Sequence, residues 1–499
     1  MLPSAVSRVL TRLVLPLCAI ATTAMADPAP KFDSRPWADD FAALKTGMEA
    51  RYANLAWFAS PQGGVDLPAL ERRARAALAA TDNDSEARRI ILDFVAALGD
   101  GHFSRLPDDP AAGAAHPEPP KAKLNPGDPE TGCAALGYAP RGHAGFSLPF
   151  ESLPGFTLTA DGLTHGFRAG LLPVRPGVTL GLVRIPEFRE TGTLWACLEA
   201  WRGLVRQHKP IDADAVTDAV QMQWFAVMSA TLRAFAARRV AAVVADVGNN
   251  SGGDDLSDWL PRLFTGQPVH SARMLVARAP AMSAYTEEEL TALRKPLPGE
   301  AGPEAREAVE HAIAGFEADE KAMSVQVCDM SWVWREQRPW QAEAPCSRLI
   351  DVGSAGGFLA YLAPHSFDVS VAKRFYWPAV ADDYIGAWTG PAYAVTDTHT
   401  YSAAEQFAAS FQNNRIGKTV GEHTAGDGCG FVADLPPLVL PNSHLAFRMP
   451  NCVRLRADGT DEVAGVAPDL PVTPLKDESP RARAARLAET IADDLLKGR

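Results

Sequence analysis

The stretch Ala241-Ala242-Val243-Val244-Ala245-Asp246-Val247 is a nearly unbroken apolar run that stops at Gly248-Asn249-Asn250-Ser251-Gly252-Gly253. A run this short, with no polar and apolar alternation, reads as a parallel strand buried on both faces. The paired glycines after it let the backbone turn sharply and bring its N–H groups close to a ligand. Taken alone they equally fit a plain strand-to-helix turn. Val178 to Phe188 reads as another core strand, Trp195 to His208 and Ala215 to Ala237 as helices, and Ala392 to Asp397 as a strand leading to a helix over Ala403 to Phe411. Strands alternating with helices from about Val178 onward imply an α/β core.

The junction between the last two elements is Tyr401-Ser402-Ala403-Ala404-Glu405. A hydroxyl there sits at a helix N-terminus, where free backbone N–H groups can hold a developing oxyanion. Ser402 and Glu405 also fit a capping box, S-x-x-E, which needs no chemistry. What separates the two readings is a base. Leu98-Gly99-Asp100-Gly101-His102-Phe103-Ser104 closes a helical segment with a glycine-rich turn and presents one histidine; His399, with Asp397 beside it, and His423 are its rivals.

The order L-G-D-G-H, then D-x-x-N-N-x-G-G ending at Gly253, then Y-S-A-A-E, then G-E-H-T-A-G (Gly421 to Gly426) and G-V-A-P-D (Gly465 to Asp469) resembles the C-terminal processing and tricorn-like serine peptidases. The resemblance runs from roughly Trp37 to Val472 and is weak between about Leu106 and Leu180. It implies a Clp-protease/crotonase-like superhelix of β-β-α units. The Ser/Lys branch carries a lysine after the glycine of the T-x-G segment, where this chain has Asp427, and Lys418 precedes the motif. An aspartate cannot take the serine proton as a neutral lysine does. The Ser/His/Glu branch transfers instead: Ser402 as nucleophile, His102 as general base and then acid, and Glu462 as the carboxylate that orients the imidazole through an intervening hydroxyl. Tricorn has a serine where this chain has Gly101, which leaves Ser104 or a water for that hydroxyl. The oxyanion hole would come from the main-chain N–H groups of Gly252 and Ala403. The turn around His102 matches the family and ranks it above His399 and His423.

The chain opens as an export signal over residues 1–26, with Arg8 and Arg12, an apolar core from Leu13 to Thr22 and Ala24-Met25-Ala26 before the cleavage point. A soluble periplasmic or secreted protein is expected. Six cysteines follow, and an even count in an oxidising compartment favours disulfides. The preferred pairs are Cys328 with Cys346 and Cys429 with Cys452, each closing a local loop, which leaves Cys133 with Cys197. No C-x-x-C spacing suggests zinc, and the chemistry requires neither metal nor cofactor. A net charge of −12 disfavours nucleic acid and anionic membranes as partners; the expected partner is a peptide or protein substrate.

The expected organisation is a helical region with the His motif over 27–104, a Pro/Gly-rich linker and small β-rich module over 105–177 without a PDZ signature, the α/β peptidase core over 178–475 and a C-terminal helix over 476–499. A charged helical insertion at about 280–345 reads as a solvated helix or a lid, and Trp332, Trp334 and Trp340 as core. The function expected is an exported serine endopeptidase working through an acyl-enzyme on Ser402. A hydrophobic-ligand carrier of the same fold and a hydrolase of non-peptide esters are the alternatives.

Overall fold

The computed structural model describes residues 32–107, 124–142, 144–299, 301–325, 329–342 and 348–497. The export signal, Cys328 and Cys346 lie outside these residues. The centre is a seven-stranded mixed sheet built from β1 (Thr157–Ala160), β2 (Ala169–Arg175), β3 (Val178–Arg184), β4 (Ala242–Asp246), β5 (Ala392–Thr396), β6 (Lys418–Gly421) and β7 (Leu470–Pro471), in the spatial order β7-β6-β5-β4-β3-β2-β1. Strands β3 to β7 run parallel, with Val183 beside Ala245, Asp246 beside Val395 and Thr396 beside Gly421; β1, β2 and β3 are antiparallel. The apolar run that opens the sequence argument is the central strand, buried at every position.

Both faces of the sheet are covered. On one, Val243, Ala245 and Ala394 pack with helices Leu194–Arg206, Ala213–Ala237 and Ala403–Asn413, through Trp201, Trp224, Phe225, Phe407 and Phe411. On the other, Val244, Tyr393 and Val420 pack under the C-terminal helix Pro480–Lys497 through Leu487, Ile491 and Leu495. Burying an aromatic or branched side chain contributes roughly 1.5–3 kcal/mol, so this two-sided core holds the strand ends in place. Those ends carry the functional loops. The glycine-rich stretch before Val178 is not a separate module: its strands β1 and β2 extend the main sheet antiparallel, because Leu172 and neighbouring apolar residues complete the core under Phe150.

The helices Arg35–Arg51, Leu67–Ala80 and Asp84–Ala96 form a second core that includes Trp332 and Trp334, with Trp340 packed against it. The tryptophans are therefore packing residues, and Trp334 Nε1 donates to Glu49 at 2.5 Å. A short ladder pairs Ser104–Arg105 with Ala446–Arg448, so the turn bearing His102 is tied to the C-terminal half of the chain. Another three-stranded antiparallel sheet joins Cys452–Leu455, Arg273–Ala277 and Leu349–Ser354. No helix among the described residues is long and apolar enough to cross a membrane.

Among the described residues two disulfides are present, Cys133–Cys197 and Cys429–Cys452, closing separations of 64 and 23 residues. The first staples the helix Pro129–Ala135 to Leu194–Arg206 beside the central core. Constraining the unfolded chain over a loop of that length is worth roughly 2–4 kcal/mol. Replacing Cys133 and Cys197 together by alanine is expected to lower the unfolding free energy by about that amount, read from denaturant melts under non-reducing conditions, with no change in secondary structure by circular dichroism.

Candidate active site

Strand β5 ends at Thr396, and six residues later the chain turns into the helix Ala403–Asn413 through Ser402, whose φ of 52° and ψ of −118° put it in the left-handed half of conformational space. A non-glycine residue there is strained, and its persistence requires surrounding structure to over-determine it. From this turn the Ser402 side chain reaches His102. Its Oγ lies 3.0 Å from His102 Nε2. Both readings of the junction hold at once: Ser402 and Glu405 form a capping box, in which the Glu405 carboxylate accepts Ser402 N–H at 3.0 Å, and the same serine faces a base.

His102 is fixed from both sides. Its N–H donates to Asp100 Oδ1 at 3.0 Å, and the buried Asp100 also accepts from Tyr52 Oη at 2.7 Å and Asn54 Nδ2 at 3.0 Å. Across the ring, Nδ1 lies 3.1 Å from the main-chain carbonyl of Asp427. With Nδ1–H donating to that carbonyl, Nε2 is left as the acceptor facing Ser402, the tautomer a general base needs. Phe431 packs edge-on to the imidazole at 5.6 Å between centroids. A Cβ at Gly430 would come 2.7 Å from His102 Cδ2, so only glycine leaves room for the ring there.

The 424–428 loop that presents Asp427 O is gripped by Glu405. Its buried carboxylate accepts from Thr424 Oγ1 at 2.6 Å and from the N–H groups of Gly426, Asp427 and Gly428 at 2.7, 2.9 and 3.1 Å, besides that of Ser402. Burial pushes this carboxyl up to about 7, against the pull of the Thr424 hydroxyl and the Gly426 N–H. Glu462, expected to orient His102 through a hydroxyl, spends both oxygens on Arg454: Nε donates at 2.8 Å and Nη2 at 3.1 Å. Arg454 Nη2 also donates to Gly428 O at 3.0 Å. Among the described residues no hydrogen bond joins Glu462 to His102; Arg454 stands between Glu462 and the loop that carries the Asp427 carbonyl. The Cys429–Cys452 disulfide ties the loop to the strand that carries Arg454. The Asp427 carboxylate receives Gly101 N–H at 3.1 Å and occupies the space a Cβ at position 101 would need, so the glycine there and the aspartate belong together. Ser104, the other suggested hydroxyl, is exposed on its short strand.

The rival groups stand apart. His399 and His423 are exposed, with Nδ1 atoms near Thr398 Oγ1 and Thr424 O, and Lys418 Nζ donates to Asp494 at 2.6 Å. On the other side of Ser402, the loop after β4 is strapped to the serine loop: Asn250 N–H donates to His399 O at 3.0 Å and Tyr401 N–H to Asn250 O at 2.9 Å. Gly252, expected as an oxyanion donor, gives its N–H to Asn250 Oδ1 at 2.8 Å, and a Cβ on it would lie 2.7 Å from Ser402 Cβ. Among the described residues neither Gly253 N–H nor Ala403 N–H enters another hydrogen bond, and both residues line a pocket of about 540 Å³ that also exposes Ser402 and His102.

Two outcomes follow from this packing. Gly430→Ala is expected to displace the His102 ring and to slow modification of Ser402 by at least about tenfold, since loss of a positioned base typically costs 100-fold or more, while leaving the melting temperature within a few degrees. Asp461, buried with Oδ2 unpartnered, has its carboxyl pushed up to about 8, chiefly by burial and then by Asp100 and Glu462. The native state therefore keeps a proton that the unfolded chain releases near pH 4, and the stability this confers is full below about pH 4 and lost as pH rises to about 8. Asp461→Asn should raise the unfolding temperature at pH 8.5 and leave it nearly unchanged at pH 4, measured by calorimetry.

No curated protein sequence matches this chain. The structure is similar to the crystal structure of mature CPAF, with a TM-score of 0.55 and 13% identity over 93% of this chain and 98% of that one. It is similar also to mature CPAF complexed with lactacystin, with a TM-score of 0.54 and 14% identity over 93% and 99%. At these identities the likeness speaks for the fold. Residues 335–472, which include Ser402, the Glu405-gripped loop and Glu462, match the model of peptidase family S41 and support that family for this chain.

Proposed function

We propose that this protein is an exported serine peptidase that cleaves peptide bonds through an acyl-enzyme on Ser402, by the Ser/His route rather than the Ser/Lys one. The observation that carries the reading is the 3.0 Å approach of Ser402 Oγ to His102 Nε2 at a strained helix N-terminus. His102 takes the hydroxyl proton as Oγ attacks the substrate carbonyl, then gives it to the departing amine; water repeats the cycle in reverse to free the acid. Gly253 N–H and Ala403 N–H, together with the positive end of the helix, hold the oxyanion. Glu462 acts as a positioning residue: by holding Arg454 it steadies Gly428 O and, with Glu405, the carbonyl on which His102 rests. Two disulfides support the exported location. The charged lining of the pocket, with Asp254, Glu289 and Arg454, is unsuited to a hydrophobic-ligand carrier. The superhelix of β-β-α units fits the parallel half of the sheet and stays part of this reading.

Intact-mass spectrometry after fluorophosphonate treatment tests it. One adduct is expected on the wild type, none on Ser402→Ala or His102→Ala, and near-normal labelling of His399→Ala and His423→Ala. A folded wild type that takes no adduct, or labelling that survives His102→Ala, overturns the assignment.

A further inference from the structure

The loop that supplies Gly253 continues directly into Asp254 and Asp255, and both line the pocket beside Ser402. Facing them is one turn of the helix Ser283–Leu293, within the charged insertion, which adds Glu288 and Glu289. Four carboxylates thus share one concavity of about 540 Å³. Among the described residues none of the four is in a salt bridge. The three arginines that also reach the pocket are already engaged: Arg454 with Glu462, Arg448 with Asp434 at 3.6 Å and the Phe431 ring, and Arg189 with Glu187 at 3.9 Å.

A second observation points independently to a ligand. Tyr285, on the same helix turn and only 3% exposed, lines this pocket with its buried hydroxyl unpartnered. A buried hydroxyl without a partner costs roughly 1–3 kcal/mol, and here it stands ready for a donor or acceptor brought in by a ligand. Behind the floor, the buried Glu190 also leaves Oε1 unpartnered.

The carboxylates are open to water through the pocket mouth but crowded by protein and by each other. Desolvation, then Glu190, pushes Asp254 up to about 8; desolvation, then Asp258, pushes Asp255 up to about 6; desolvation, then Glu288, pushes Glu289 up to about 7. Like charges held this close are relieved by a proton or by a bound cation. Among the described residues no three His, Cys, Asp or Glu side chains converge closely enough to hold a metal ion. Met274, Trp377 and Phe431 add apolar wall to the same space. A pocket lined by both carboxylates and apolar side chains suits a long aliphatic stem with a charged head.

We propose that this pocket is a specificity subsite for a lysine or arginine side chain of the substrate residue that contributes the attacked carbonyl, with Asp254 and Asp255 as its floor and Glu288, Glu289 and Tyr285 as its wall. The assignment of that residue rests on Ser402 being the nucleophile of a peptidase; the affinity for a cationic side chain does not.

The test pairs binding with turnover. Benzamidine is titrated by calorimetry into the Ser402→Ala protein, alone and combined with Asp254→Asn/Asp255→Asn or Glu288→Gln/Glu289→Gln, each checked for folding by circular dichroism. Peptide amides differing only in Arg, Leu or Glu at the carbonyl position are assayed with the Ser402 forms. Expected are measurable benzamidine binding that either pair of substitutions weakens at least about tenfold, and kcat/KM for Arg at least about tenfold above Leu and higher still above Glu. Absent binding to a folded protein, or binding and preference undiminished in both pairs of variants, overturns the proposal. Benzamidine binding lost in the variants with no peptide cleaved upholds the cationic subsite and overturns the peptidase reading alone.

Discussion

One buried carboxylate holds the candidate site together. Glu405 receives five hydrogen bonds, one from the backbone of Ser402 and four from the loop 424–428, so the serine loop and the loop under His102 are fastened to a single anchor. An uncompensated charge so deeply buried would cost several kcal/mol; five donors in one place offset part of that cost and fix the geometry of both partners. The strained backbone of Ser402 is one arm of this arrangement, and the carbonyl that sets the His102 tautomer is another.

Around that anchor the fold works in layers. The parallel strands β4 and β5 end side by side, so the glycine-rich loop after one and the serine loop after the other are strapped together through Asn250. The helical region before the sheet brings His102 in from far along the chain, and the short ladder of Ser104–Arg105 with Ala446–Arg448 docks it. Arg454, with its guanidinium on Glu462 and on Gly428 O, closes the circuit from the other side. Removing Glu462 would leave a buried arginine unpaired, so its contribution to position and its contribution to stability are not separable by that change alone.

Much of this was legible in the sequence. The central strand, its glycine pair and the strand-to-helix junction at Ser402 follow from local apolar pattern and turn chemistry. The 105–177 region reads as a linker and a small module because short strands separated by glycines look alike whether they form a separate module or extend a distant sheet; only the pairing of β2 with β3 decides. Glu405 was readable as a cap, which it is, yet its grip on residues 424–428 comes from tertiary contact that i, i+3 spacing does not carry. Asp427 is known in sequence by its side chain, whereas the atom beside His102 is a carbonyl that every residue has. Arg454 left one visible sign, a charge inside the otherwise apolar Cys452-Val453-Arg454-Leu455, all four positions buried. The acidic pocket leaves no local sign in the sequence, since its members come from two segments about thirty residues apart and only the fold brings them together.

The central claim is that Ser402 is a nucleophile served by His102 and by two main-chain donors. The most direct measurement is a crystal structure of the fluorophosphonate-treated protein. The account predicts phosphorus bonded to Ser402 Oγ, its oxygen about 3 Å from the N–H groups of Gly253 and Ala403, and His102 Nδ1 still on the Asp427 carbonyl. An adduct on another residue, or an oxygen turned away from both N–H groups with His102 swung off Asp427, would contradict it.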